Sequence, residues 1–169
     1  MPSIVPHSVL SGQPLDSDLL IRWGCEHEGH ADNVAPCVLG GFTTLASGAD
    51  AGEIRYLRLD PPAGMTAQIV IPDFSLPTEQ ARSVLPETLI FQDAVFNQSR
   101  VGLLAAAMAT GRTEMLGEAM RDRLHQPFRE SLVPGLSDVL TAAMAAGAAG
   151  AALSGAGPTV LALATPGNV

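Results

Sequence analysis

The most hydrophobic stretch of the chain, Leu136 to Leu153, is mostly alanine and glycine, and a second apolar run, "TVLALA", follows it closely. Ser137, Asp138 and Thr141 lie near its start, and Gly147 and Gly150 interrupt it, so it does not make the run of about 20 apolar residues that spans a bilayer. The pattern predicts a buried helix over "GLSDVLTAAMAAG" ending at Gly147, a short strand "GAALS", the tight loop "GAGP", and the strand "TVLALA". A helix feeding two short strands joined by a tight glycine loop constrains the rest of the molecule. Such a unit requires an antiparallel sheet, with helices covering its apolar face.

The preceding sequence supplies those partners. Residues 1 to 13 carry Pro2, Pro6 and Gly12 with little periodicity, and read as a loose lead-in. Asp16 or Ser17 caps a helix through about Cys25, with Leu15, Leu19, Leu20 and Trp23 on one side. "FTTLA" and "EIRYLRL" read as a hairpin across "SGADAG", and "AQIVIP" as a third strand. Thr78, preceded by Pro77, is the expected N-cap of a helix to about Leu85, which Pro86 ends. A long helix is expected from about Thr88 to Thr110, closed by Gly111, with Ile90, Ala94, Val101, Leu104, Ala105 and Met108 as its apolar stripe. Asn97 breaks that stripe, and a buried amide must either pair with backbone or face a site. "MLGEAMRDRL" reads as a further helix and "HQPFR" as a break at Pro127. The fold class is α+β, an antiparallel sheet with helices packed on one face.

At 169 residues the chain accommodates one compact domain or two small lobes. A net charge of -8, with nine arginines and no lysine, argues against binding a nucleic-acid backbone. It also removes the P-loop, which needs a lysine on the phosphates. An arginine that faces inward in so acidic a chain is a candidate anion clamp. Cys25 and Cys37 do not form a disulfide framework, no signal peptide is visible, and the expected location is cytoplasmic, with no membrane or nucleic-acid partner.

Three segments carry candidate chemistry. In "CEHEGHADN", Cys25, His27, His30 and Asp32 are possible zinc ligands, although their spacing matches no familiar zinc pattern. His30 with Glu28 or Asp32 is a possible acid/base pair. The plainer reading makes Asp32 or Asn33 the cap of a short helix "NVAPCVLG", with His30 in the entering turn. The two roles are compatible, since a helix N-terminus also offers free N–H groups to an anion. In "LSGAGPTV", the small residues Gly155, Ala156 and Gly157 form either a tight turn or a backbone nest for an anion. In "DFSLPTEQAR", Thr78 and Arg82 share a helical face, so a hydroxyl and a guanidinium can act on one anionic group. A solvated position is the alternative for Arg82, Arg100 and Arg129, and His7 and His125 carry no further signal.

The order "EGHADNVAPCVLGG", "IPDFSLPTEQARSVLP", "HQPFRESLVPG", "LSGAGPTVLAL" resembles the homoserine kinases, members of the GHMP family of small-molecule kinases. The resemblance runs from about Leu10 to about Ala164, with Ala31 standing where the family usually has proline. It implies ATP-dependent phosphorylation of the L-homoserine hydroxyl, in threonine biosynthesis, with Mg2+. Glu28 then matches the family's magnesium ligand, a carboxylate suited to a hard cation. His30 and Asp32 match residues lining the homoserine pocket, and Asn33 matches the catalytic asparagine that reaches the attacking hydroxyl. No dedicated base is usually assigned, and positioning with electrostatic stabilisation supplies the catalysis. Arg82 and Arg129 match the arginines that hold the substrate carboxylate, with Thr78 beside Arg82. Gly155, Ala156 and Gly157 match the family's third glycine-rich motif, next to the active site in the C-terminal domain, and are the expected cofactor-binding residues. The family is commonly homodimeric.

The family's "PxxxGLGSSA"-type phosphate loop has no counterpart in these 169 residues, and the match ends before the family's last helix and strand. The expectation is therefore a truncated front lobe. Residues 1–65 would be the remnant of the N-terminal (ribosomal S5 domain 2-like) lobe with the "EGHADN" block, and 66–169 a ferredoxin-like C-terminal domain incomplete at its end. Such a chain would be inactive alone and prone to self-association through exposed strand edges. The competing readings are a non-catalytic remnant, a GHMP kinase with another small alcohol substrate, and a metal-binding regulatory domain.

Overall fold

The structure, a computed structural model, describes residues 16–47 and 54–166. The expected lead-in, Leu15 and most of the turn "SGADAG" lie outside these residues. Two compact units divide at Asp60 and Pro61.

In the first unit, helix α1 spans Ser17–Glu28. Asp16 caps it as expected, its carboxylate accepting from the N–H groups of Asp18 (3.0 Å) and Leu19 (3.4 Å). The helix passes the expected end at Cys25, because it is Gly29, at φ 80°, that terminates it by returning its N–H to the Cys25 carbonyl. Gly24 stays inside the helix and serves packing. A Cβ there would fall 2.3 Å from Val34 Cγ1, so its absence lets helix α2, Val34–Leu39, approach. Strands β1 (Phe42–Ser47) and β2 (Ile54–Leu59) pair antiparallel, from Phe42↔Leu59 to Ser47↔Ile54. Tyr56 donates its hydroxyl to Asp18, joining β2 to α1, and Arg58 donates Nε to the Leu39 carbonyl at 3.0 Å.

The second unit holds a three-stranded antiparallel sheet in the order β3 (Thr66–Val70), β5 (Val160–Ala164), β4 (Gly150–Leu153). The strand expected at "AQIVIP" therefore joins the C-terminal pair and not the β1–β2 hairpin. Ile69 stands opposite Leu161, and Leu153 opposite Val160. The remaining elements are α3 (Thr78–Ser83), α4 (Phe91–Thr110), a 3-10 turn at Thr113–Met115, α5 (Leu116–Ala119), α6 (Gln126–Arg129), a 3-10 turn at Glu130–Leu132 and α7 (Leu136–Ala145). Along β5 the alternation is strict, with Val160, Ala162 and Ala164 buried. Helix α7 packs on β4 and β5, and α5 packs on β4. Val133, Leu136, Leu153 and Val160 form the core cluster, flanked by Leu76, Val139 and Leu140.

Several expectations are corrected. Helix α4 begins at Phe91 rather than Thr88, with Ile90 in extended conformation at its N-cap. Its buried positions are Ala107 and Met108, whereas Ile90 and Val101 of the expected stripe are 66% and 65% exposed. "MLGEAMRDRL" forms only the end of a 3-10 turn and one α-helical turn: Arg121 N–H bonds back to the Glu118 carbonyl and Arg123 N–H goes to Asn97, so the α ladder does not continue, and the Asp122 carboxylate collects the N–H groups that open α6. Pro127 does not break "HQPFR" but sits in the first turn of α6, where no intrahelical N–H is needed. Thr78 is the first residue of α3, not its cap; Pro77, at φ -58° and ψ 134°, precedes it and its carbonyl accepts from Ala81 N–H at 3.0 Å.

Leu116 is fully buried under Gly150, whose missing Cβ would lie 3.0 Å from the Leu116 carbonyl oxygen. Truncating Leu116→Ala is expected to destabilise the second unit by about 2 to 5 kcal/mol, as large-to-small core changes do. Urea unfolding followed by circular dichroism measures it, and a midpoint unchanged from wild type would contradict this packing.

Candidate functional site

The site residues expected from sequence fall into two groups, one in each compact unit. In the first unit, Glu28 is the last residue of α1 and His30, Asp32 and Asn33 lie in the turn leading to α2. The chain turns here because Gly29 adopts the left-handed conformation and Ala31, 3% exposed, is buried beneath the turn. Asp32 Oδ1 lies 2.5 Å from His30 Nδ1 and also accepts from Asn33 N–H at 3.1 Å. Nδ1 is occluded and makes no aligned hydrogen bond, so the close approach of the two side chains is not a directed bond. Burial raises the Cys25 thiol above its ordinary value, and the Asp32 charge adds to that effect.

Asn33 occupies the N-cap position of α2, but its side chain makes no capping bond, which leaves the amide available. Its carbonyl accepts from Cys37 N–H at 3.2 Å. Glu28 is exposed at the C-terminal end of α1, where the helix dipole favours a cation beside it. Among the described residues, no three histidine, cysteine, aspartate or glutamate side chains converge as a metal site, so the zinc cluster imagined from "CEHEGHADN" is not assembled.

The second group is organised by Arg129, the last residue of α6 and 7% exposed. Its Nε donates to the Ala81 carbonyl in α3 at 3.0 Å, and Nη1 donates to the Gly155 carbonyl at 2.9 Å. Nη1 also lies 3.1 Å from His125 Nδ1. No described residue accepts from Nη2. The guanidinium thus ties three separate chain segments together, α3, α6 and the loop between β4 and β5. Arg82, on exposed α3, is close enough to act on Arg129. Burial lowers the Arg129 guanidinium from its ordinary value, the Asp122 charge opposes that, and the Arg82 charge reinforces it. Arg82 pairs with no described acid. Thr78, one helical turn before Arg82, is exposed and makes no hydrogen bond to a described residue.

In the loop, Gly157 N–H is already taken by the Ser154 carbonyl at 3.0 Å, and Ser154 N–H by the Thr159 carbonyl at 2.8 Å. The N–H groups of Gly155 and Ala156 have no described acceptor. Gly155 sits at φ 57° with open space where a Cβ would point, so conformation requires glycine there. At Gly157 a Cβ would meet Leu153 Cδ1 at 2.9 Å, so close packing requires it. The segment is a tight turn that leaves the N–H groups of Gly155 and Ala156 without an acceptor among the described residues.

Sequence reasoning gave no signal for Asp122 and His125. Asp122 accepts from the N–H groups of Leu124 (3.1 Å), His125 (2.8 Å) and Gln126 (2.7 Å), and from Asn97 Nδ2 at 2.6 Å. Asn97 Oδ1 in turn accepts from Arg123 N–H at 2.9 Å, so the amide that interrupted the α4 stripe is paired with backbone and with a carboxylate. Gln126 Oε1 accepts from Leu153 N–H at 2.6 Å, anchoring α6 to β4. An aspartate a few residues ahead of a proline in a first helical turn is the cue that would have found this cap. Arg100, by contrast, is paired with Glu118 and stacked 3.8 Å from the Phe96 ring centroid, and belongs to neither group.

Residues 104–169 match the family described as GHMP kinases C terminal. Among curated proteins, the homoserine kinase of Deinococcus radiodurans is 48% identical over 158 residues, covering 94% of this chain and 51% of that protein. That of Moorella thermoacetica is 45% identical over 160 residues, covering 95% and 53%. The crystal structure of homoserine kinase from Cytophaga hutchinsonii superposes with a TM-score of 0.85 at 34% identity, over 94% of this chain and 51% of that one. The chain spans about half the length of the curated relatives it matches. Its fold is that of a GHMP kinase, and its C-terminal part carries that family's sequence signature. Within the GHMP kinases, the resemblance is to the homoserine kinases. Among the described residues no helix is long and apolar enough to cross a membrane.

Burial raises the Asp122 carboxyl, but hydrogen bonds from His125 and Gln126 N–H and from Asn97 outweigh it and hold the group below its ordinary value. A carboxyl lowered in the folded state stabilises the fold above its unfolded pKa, about 3.9, and that stabilisation is lost as pH falls through the folded value. Asp122→Asn is therefore expected to lose less stability than wild type between pH 5 and strong acid, about those limits being where a carboxylate of this kind titrates. Parallel acid curves for the two proteins in thermal unfolding would contradict the role given to Asp122.

Proposed function

We propose that this chain carries the substrate-recognition and metal-liganding parts of a homoserine kinase, which transfers the γ-phosphoryl group of ATP to the L-homoserine hydroxyl. The observation that carries the reading is the paired guanidinium arrangement: Arg129, fixed on two carbonyls with Nη2 unengaged, and Arg82 beside it with no acid partner. Two such cations suit a planar carboxylate and favour arginine over lysine. Sequence similarity to homoserine kinases supports L-homoserine as the acid. We assign residues 1–65 to the N-terminal lobe of that family and 66–169 to its C-terminal domain.

In this reading Arg82 and Arg129 hold the carboxylate, with Thr78 beside them, and His30 and Asp32 line the amino-acid pocket. The Asn33 amide, which no cap bond engages, orients the attacking hydroxyl. Glu28 would hold Mg2+ through its carboxylate, a role consistent with its exposed position at the negative end of α1. The metal, when bound, neutralises charge on the phosphates. The N–H groups of Gly155 and Ala156 are free to face phosphate oxygens. Positioning and charge stabilisation carry the transfer, and no side chain is assigned as a general base.

Isothermal titration with L-homoserine tests the reading. Wild type is expected to bind it and to reject L-homoserinol, in which a CH2OH group replaces the carboxylate. Arg82→Lys is expected to weaken L-homoserine by about ten-fold, the effect of losing one charge-assisted bond. Equal affinity for acid and alcohol would sink the carboxylate assignment. The 169 residues contain no "PxxxGLGSSA"-type phosphate loop, so this polypeptide assayed by itself is expected to bind homoserine without turning over ATP. ADP release above background, dependent on homoserine, would overturn that expectation.

A further inference from the structure

Resting on the assignment of Arg129 to the substrate carboxylate, we infer that His125 is a positioning residue for that arginine, and that Asp122 and Asn97 hold His125 in the state that does so. Arginine has five N–H donors and no acceptor. Nε of Arg129 is spent on the Ala81 carbonyl, and one Nη1 proton on the Gly155 carbonyl. The other Nη1 proton has His125 Nδ1 as its partner, 3.1 Å away. Because the arginine supplies only donors, Nδ1 must be the acceptor, which fixes the ring as the neutral tautomer with its proton on Nε2. That proton faces Asp122 Oδ1, 3.6 Å distant. Nη2 is then the end of the fork that stays open for a ligand.

The chain of support runs further back. Asp122 cannot turn away, because three backbone N–H groups and Asn97 Nδ2 converge on its two oxygens. Asn97 is fixed by its own bond from Arg123 N–H. The long helix α4 thus sets the angle of a guanidinium on α6, through a carboxylate and an imidazole.

The charged groups facing the His125 ring are Asp122 and Arg129, with Arg82 acting on Arg129 from α3. Burial lowers the His125 pKa, the Asp122 charge opposes this, and the Arg129 charge reinforces it. The ring is therefore held toward its neutral form, and it takes up a proton less readily than an ordinary histidine. Protonation would set an Nδ1–H donor against the Nη1 donor and a cation against a cation. Arg129 then loses its third contact, and the carboxylate site loosens as pH falls.

Two variants and two measurements test this. His125→Phe keeps a ring and removes the acceptor, while His125→Asn keeps an acceptor near the position of Nδ1. In 15N NMR of the intact chain, wild type at neutral pH is expected to show His125 as the Nε2–H tautomer and two resolved Arg129 Nη signals, the mark of a held guanidinium. The two signals should merge in His125→Phe and in wild type below the His125 titration, and remain resolved in His125→Asn. Titration with L-homoserine should show about a ten-fold loss of affinity in His125→Phe, largely recovered in His125→Asn. Wild-type affinity should fall on acidification through the His125 transition, and His125→Asn should lack that fall. A histidine protonated on Nδ1, Nη signals unchanged in His125→Phe, or equal homoserine affinity in wild type and His125→Phe would each overturn the inference. If wild type binds no homoserine, the carboxylate assignment fails by itself, and the NMR signals still decide whether His125 holds Arg129.

Discussion

A guanidinium buried among carbonyl groups organises the second unit. Moving a charge out of water is costly unless hydrogen bonds replace its hydration. Arg129 meets that requirement with the carbonyls of Ala81 and Gly155 and the ring of His125, none of which carries a negative charge when the ring is neutral. Its hydration is replaced while its charge remains uncancelled in the immediate shell. The same bonds hold α3, α6 and the β4–β5 loop at fixed separations. A structural tie and an anion-attracting field therefore come from one side chain. An ion pair in its place would have kept the tie and lost much of the field.

The small residues around this tie decide how closely the elements pack. Ala81, Ala107, Ala119, Ala162 and Ala164 are buried, and Gly150 lies against α5. Among the described residues, Ile21 and Leu116 are the largest fully buried side chains. Short side chains bring backbones close, which is what lets a carbonyl of α3 and a carbonyl of a loop reach one guanidinium. The consequence is a thin core with large apolar side chains outside it, such as Phe91, 77% exposed, and Ile71, 76% exposed. Position in the packing, more than hydrophobicity, decides which apolar residues are covered.

The segments most legible in the sequence were those governed by local chemistry. Asp16 as a cap, Gly111 as a helix end, the β4–β5 pair with its glycine loop, and the antiparallel pairing of "FTTLA" with "EIRYLRL" follow from capping, left-handed glycine and alternation. Where the fold departs from local preference, a longer-range partner intervenes. "MLGEAMRDRL" has good helical composition, yet the helix ends after one turn: Arg123 N–H goes to Asn97 on α4, and Asp122 takes the N–H groups of residues 124 to 126 to start a new helix. Pro127 looked like a breaker until its place in a first turn was known. The apolar stripe of α4 was assigned by periodicity, but which face is covered depends on what packs there.

The candidate site divides along the same line. The order of the blocks containing Glu28, Asn33, Arg82, Arg129 and Gly155 could be recognised from the chain alone, because residue type and spacing are properties of the chain. Resemblance singles out Arg82 and Arg129 among the arginines, but does not tell that Arg129 is buried on neutral acceptors while Arg82 is exposed, since burial depends on neighbours distant along the chain. His125 is the clearest case. In sequence it is one more histidine; in the fold, Asp122 lies on one side and Arg129 on the other. The sequence determined the local turns, the strand pairing and the chemical groups available. Tertiary structure alone decided which of those groups are desolvated and aligned, because burial and hydrogen-bond direction arise only when segments distant along the chain are brought together.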